Sequence, residues 1–111
     1  MASHLSVLLE ETLRFLDPKP GSFIVDGTLG FGGHAGRILE KLGLDGRLIG
    51  FDRDPEALKL AELNLSRHKK NVLLIHDRFS RIADRLKEID APPASGVLLD
   101  LGVSSFSWTS R

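Results

Sequence analysis

The chain has 111 residues, room for one small domain, and 41% of them are hydrophobic, enough to build a core. Its 15 basic and 15 acidic residues cancel, so charge alone makes no case for nucleic-acid binding. The absence of cysteine excludes a disulfide scaffold, a thiolate zinc site and a cysteine nucleophile, and fits a reducing cytoplasm.

At the start, MASHLSVLLEE has too short an apolar stretch for a secretion signal, since Glu10 and Glu11 follow it directly. Leu5, Leu8, Leu9, Leu13 and Leu16 recur at helical spacing and predict an amphipathic helix over residues 5–16. Asp17-Pro18 ends it, because a residue before proline avoids the helical region. Phe23-Ile24-Val25 reads as a short buried strand with Asp26 at its end.

A glycine-rich stretch, Gly27 to Gly36, leads into a second helix with Ala35, Ile38, Leu39 and Leu42 on one face and Gly43 as its C-terminal cap. Asp45-Gly46 turns into a strand from Arg47 to Phe51, with Asp52 at its end. Asp54-Pro55-Glu56 joins a capping carboxylate, proline at the first helical position and an acid in the first turn. Leu58, Ala61 and Leu65 mark that helix's buried face. Arg67-His68-Lys69-Lys70, the longest basic run, reads as a solvated helix end.

Val72 to Ile75 form a third strand. Ser80 is placed to cap a fourth helix, with Ile82, Leu86 and Ile89 inward. Pro92-Pro93 breaks the chain before a fourth strand, Val97-Leu98-Leu99, which ends at Asp100. No apolar run approaches the length of a membrane span.

Continuously apolar strands alternating with helices predict an α/β fold, a parallel sheet covered on both faces. Ligands of such sheets bind at the carboxyl ends of the strands. The sequence puts Asp26, Asp52, His76-Asp77 and Asp100 there. Gly30-Phe31-Gly32-Gly33-His34, between a strand and a helix, suits close backbone approach to a ligand and free helix N–H groups. His34, by spacing alone, is simply the helix's first residue. Asp52 suits the two hydroxyls of an adenosine ribose, with Asp54 doing the capping.

Two cofactor classes compete for this loop. Gly30 to Ala35 formally matches G-x-G-x-x-A, and Asp52 stands near the distance a dinucleotide fingerprint expects, which makes a nicotinamide-dependent dehydrogenase the rival reading. Against it, Asp26-Gly27-Thr28-Leu29 intervenes, giving the D-x-x-x-G-x-G style of a methyltransferase loop. S-adenosylmethionine also lacks the pyrophosphate that a dehydrogenase loop serves. Its amino-acid end needs polar partners, for which Asp26 and Thr28 are available; Asp26 alternatively anchors the loop backbone.

The segments HLSVLLEETL, VDGTLGFGGHAGRIL, GRLIGFDRDPEAL, the Phe79-Ser80 pair and GVLLDLGVSS, in this order and spacing, resemble the N-terminal half of the ribosomal RNA small subunit methyltransferase H family. The resemblance reaches Ser105. It implies a Rossmann-like S-adenosylmethionine-dependent methyltransferase fold, with 1–105 as the N-terminal half of its domain and 106–111 as a divergent tail. It implies S-adenosyl-L-methionine as cofactor and N4-methylation of a cytosine in the decoding region of small-subunit ribosomal RNA, within the ribosomal subunit.

Carried over by position, the family's cofactor contacts fall on Gly32, Gly33, His34, Asp52, Phe79 and Asp100. Phe79 would lie against adenine, although its place at a helix start suits a core aromatic. Asp100 is also the candidate catalytic group, as an acceptor that orients the amine or the reactive end of the cofactor. The D/N-P-P-aromatic motif that many amine methyltransferases place at the fourth strand is not present here, where Asp100-Leu101-Gly102-Val103 stands instead. His4 and Ser6 match the N-terminal pattern without an assigned role.

After Gly-Val-Ser-Ser the family continues Pro-Gln-Leu-Asp, whereas this chain has Phe106-Ser107-Trp108-Thr109, with Ser107 where the family has a cofactor-contacting glutamine. That departure reads as a truncated or frameshifted product or a partial chain, with the sheet cut after its fourth strand and Val97 to Leu99 left as an apolar edge. Such a chain is expected not to methylate RNA by itself, and a non-catalytic fragment that binds cofactor weakly or not at all is the reading that concerns this polypeptide.

Overall fold

The computed structural model describes residues 4–27, 29, 33–99 and 102–104; among these, the side chains of 4–9 and 102–104 are not described. The elements follow the predicted alternation: α1 (His4–Leu16), β1 (Phe23–Asp26), α2 (Gly33–Leu42), β2 (Arg47–Asp52), α3 (Pro55–Asn64), β3 (Val72–His76), α4 (Ile82–Glu88), β4 (Gly96–Leu99) and β5 (Gly102–Ser104). One-turn 3-10 segments, Ser66–His68 and Phe79–Arg81, follow α3 and precede α4.

The sheet order is β3-β2-β1-β4-β5. β1, β2, β3 and β4 run parallel. The chain steps outward from β1 to β2 to β3, then returns to the other side of β1 as β4. That reversal is a topological switch point, the place where open α/β sheets bind ligands outside their strand ends.

Alternation along the strands divides the core between two faces. Ile24, Leu48 and Leu98 point to one face and pack with Leu13 of α1, Ala35, Ile38, Leu39 and Leu42 of α2, and Ala61 of α3. Val25, Ile49, Phe51, Ile75 and Val97 point to the other and meet Leu86 of α4 with Ala91 and Ala94. Burying a side chain such as Ile38 or Leu86 stabilises the fold by roughly 1.5–3 kcal/mol.

The local signals explain most element ends. Asp54 caps α3: its Oδ1 accepts from the Glu56 N–H at 2.9 Å, with Pro55 opening the helix. Gly43 follows α2 at φ +69°. Asp17 leaves α1 through the left-handed region, φ 47°, and its N–H donates to Leu13 O at 2.8 Å. A short carboxylate side chain tolerates that region and proline then fixes the exit.

Three expectations are corrected. Ser80 does not cap α4: it lies inside the 3-10 turn, and the residue before the helix is Arg81, without a side-chain cap. Ile89 is 46% exposed because α4 ends at Glu88, one residue before its side chain would face inward. The sheet does not stop at β4. β5 pairs antiparallel with it, Val97 with Ser104, Leu98 with Val103 and Leu99 with Gly102, so β4 is not a bare edge. β5 is only three residues long, Gly102-Val103-Ser104, and its ladder runs along the open side of β4.

Candidate active-site edge

The register sets the depth of each acid. Asp26 aligns with Gly50, while β2 runs on to pair Asp52 with His76, so Asp52 stands two residues further out than Asp26. Asp26 is fully buried.

The loop after β1 is tied at two described points. The Gly27 N–H donates to Leu98 O on β4 at 2.7 Å, and the Leu29 N–H donates to Phe51 O on β2 at 3.1 Å. The loop thus bridges both neighbours of β1. Space around it is tight: a Cβ at Gly50 would stand 2.7 Å from Leu29 Cδ1 and one at Gly27 2.8 Å from Leu99 Cδ2, so either would make a leucine side chain shift. Leu29 is buried in the core and anchors the loop onto β2. Sequence reasoning passed over Leu29. A single leucine among glycines was the available signal, since an apolar residue in a polar loop needs somewhere to be buried.

Beyond the loop, Gly33 and His34 form the first turn of α2, with His34 partly exposed. Gly32, like Thr28, Gly30, Phe31 and Asp100, lies outside the described residues, so the predicted cluster is placed in part: Gly33, His34, Asp52 and Phe79.

Asp52 is half-buried at the end of β2, and its Oδ1 accepts from the Asp54 N–H at 2.9 Å. Asp54 does the capping, as expected, and Asp52 fixes the turn that leads to that cap. His76, its partner in register, donates from Nε2 to Arg53 O at 3.0 Å and grips the same turn from the β3 side. Phe79 is 59% exposed, so it is not a core aromatic. A large ring left out of the core in the turn after β3 is an available surface for a flat heterocycle.

Among the described residues no cluster of histidine, cysteine and carboxylate side chains could hold a metal, and no helix is long and apolar enough to cross a membrane.

The parallel sheet with its switch point and acid-studded carboxyl edge is a Rossmann-like methyltransferase fold. It superposes on Aeropyrum pernix fibrillarin in complex with S-adenosyl-L-methionine with a TM-score of 0.70, covering 87% of this chain and 41% of that one at 21% identity. A SAM-dependent O-methyltransferase from Thermotoga maritima superposes with a TM-score of 0.60, over 66% of this chain and 28% of that one, at 25% identity. Within that class the whole chain, residues 1–111, matches the MraW methylase family, and the chain belongs to it. The ribosomal RNA small subunit methyltransferase H of Pelobacter propionicus is 52% identical over 103 residues, which cover 92% of this chain and 33% of that protein. The chain spans about a third of the length of the curated relatives it matches.

Proposed function

We propose that this chain is the cofactor-binding part of an S-adenosylmethionine-dependent enzyme that methylates the N4 amine of a cytosine in small-subunit ribosomal RNA, within the ribosomal subunit and in the cytoplasm. The observation that carries the reading is one sheet edge in a chain of this family. Asp52 ends β2, Phe79 follows β3 with its ring exposed, and α2 begins after β1, so all three belong to the carboxyl edge of the parallel sheet.

The residues present suit the cofactor. Asp52 would accept hydrogen bonds from the ribose hydroxyls, and Phe79 would lie against adenine. Gly32, Gly33 and His34 would line the amino-acid end, with the loop held by Leu29. When bound, S-adenosylmethionine supplies a methyl group made electrophilic by its sulfonium, so the protein's main task is positioning. The cytosine amine is a weak nucleophile because its lone pair is delocalised into the ring. An acceptor on its N–H would help it and take the proton as charge develops. Asp100, the next residue in sequence after β4, is our candidate for orienting the amine or the cofactor's reactive end. Residues 1–105 then form the N-terminal half of the methyltransferase domain.

The test is methyl transfer from labelled S-adenosylmethionine to small ribosomal subunits lacking the modification, by the whole protein, followed by nucleoside analysis. Label in N4-methylcytidine is the expected result. Label on another nucleoside, or on protein only, would refute the substrate.

A further inference from the structure

The 3-10 turn that carries Phe79 is only three residues long, Phe79–Arg81, and closes with the Arg81 N–H on Arg78 O at 2.9 Å. So short a segment does not hold a bulky exposed ring in one place by itself. The rest of the restraint converges on Asp77. Its main-chain N–H donates to Asp52 O at 3.1 Å, continuing the β2–β3 ladder one residue past the strand. Its Oδ1 accepts from the Arg78 N–H at 2.8 Å. Its Oδ2 faces Arg81 Nε at 3.6 Å and Arg85 Nε at 3.8 Å.

The two arginines are themselves braced. Arg81 reaches Asp84 at 2.9 Å and Glu88 at 3.7 Å, and Arg85 reaches Glu88 at 3.7 Å. The side chain of Asp77 is 21% exposed, the least of the group, so its pairs are better shielded than the rest. One residue thus ties the end of β2, the turn bearing Phe79 and the start of α4.

We propose that Asp77 is a positioning residue for the adenosine end of the cofactor. It fixes the exposed ring of Phe79 relative to Asp52, so that a nucleoside meets its ribose acceptor and its aromatic surface at a set spacing. Asp77 acts through Phe79 and does not touch the cofactor. The inference rests on the proposed roles of Asp52 and Phe79. The energetic logic is preorganisation: a ring already held where the base will lie loses less freedom on binding.

A double-substitution cycle in the whole protein tests it, with S-adenosylhomocysteine affinity measured by calorimetry and thermal unfolding followed in parallel. The variants are Asp77→Asn, Phe79→Ala and their combination, with Asp52→Ala as reference. Asn keeps an acceptor for the Arg78 N–H and nearly the same shape, so the fold is retained while the ion pairs are lost. Phe79→Ala is expected to weaken binding by about tenfold. Asp77→Asn is expected to weaken it by about three- to fivefold. In the Phe79→Ala background, Asp77→Asn is expected to change affinity by less than about twofold, because no ring remains to position. A full additional loss in that background would overturn the proposal, showing that Asp77 contacts the ligand or merely supports the fold. An unchanged affinity in Asp77→Asn alone would overturn it as well. If Phe79→Ala binds normally while Asp52→Ala does not, the adenine role of Phe79 is wrong, a failure distinct from that of the Asp77 clamp.

Discussion

At residue scale, Asp52 and Asp54 carry different duties two positions apart. Asp52→Ala removes the proposed ribose acceptor and is expected to weaken cofactor binding by about ten- to a hundredfold, the worth of charge-assisted hydrogen bonds. Asp54→Ala removes a helix cap and should cost about 1 kcal/mol of stability. It should leave affinity nearly intact, because Asp52 is held by the main-chain N–H of residue 54, which the substitution retains. Calorimetry and thermal unfolding on both variants separate the two roles; equal affinity losses would show the pair misassigned. The Asp54 cap was legible in the sequence because capping is local chemistry, written in three adjacent residues. The exposure of Phe79 was not. Spacing places an aromatic at a helix start in the core, and only the short turn that swings it outward decides otherwise.

At the scale of elements, the loop after β1 is held by what it covers. Gly50→Ala would put a methyl group within 2.7 Å of Leu29 Cδ1, which forces the Leu29 side chain and the loop to shift. Overpacking of this kind costs about 1–3 kcal/mol. Cofactor affinity is expected to fall with it, since the displaced segment leads to Gly32, Gly33 and His34. Leu29→Ala alone is expected to cost about 2–5 kcal/mol through the cavity it leaves. The double variant should be more stable than the sum of the two losses predicts, because the new methyl group occupies part of that cavity. Strict additivity in urea unfolding would show that Leu29 and Gly50 do not share the space.

The same scale shows where reading from sequence stops. The end of α2 and the start of α3 were readable, since Gly43 and Asp54-Pro55-Glu56 punctuate them. β5 was not, because a three-residue run, Gly102–Ser104, is too short for an alternating pattern to show. Ile89 was misplaced by one residue of helix length, an error that periodicity cannot detect at a helix end.

At the scale of the molecule, the parallel sheet and its ligand edge followed from apolar strands alternating with helices, whereas strand order is a long-range property that the structure had to supply. The positions of Asp52 and His76 side by side depend on that order. The chain spans about a third of its curated relatives, and its charge is balanced. By themselves, these 111 residues are therefore expected to bind cofactor without methylating small ribosomal subunits at the rate of a full-length relative; a comparable rate would show that the remaining length is dispensable for chemistry. The central claim, that this edge receives S-adenosylmethionine, is tested most directly by calorimetry of the whole protein with S-adenosylmethionine, S-adenosylhomocysteine, NAD and NADP. Binding of the first two, lost on Asp52→Ala, with no heat from the nicotinamide cofactors, is the result expected; binding of NAD or NADP alone would contradict the account.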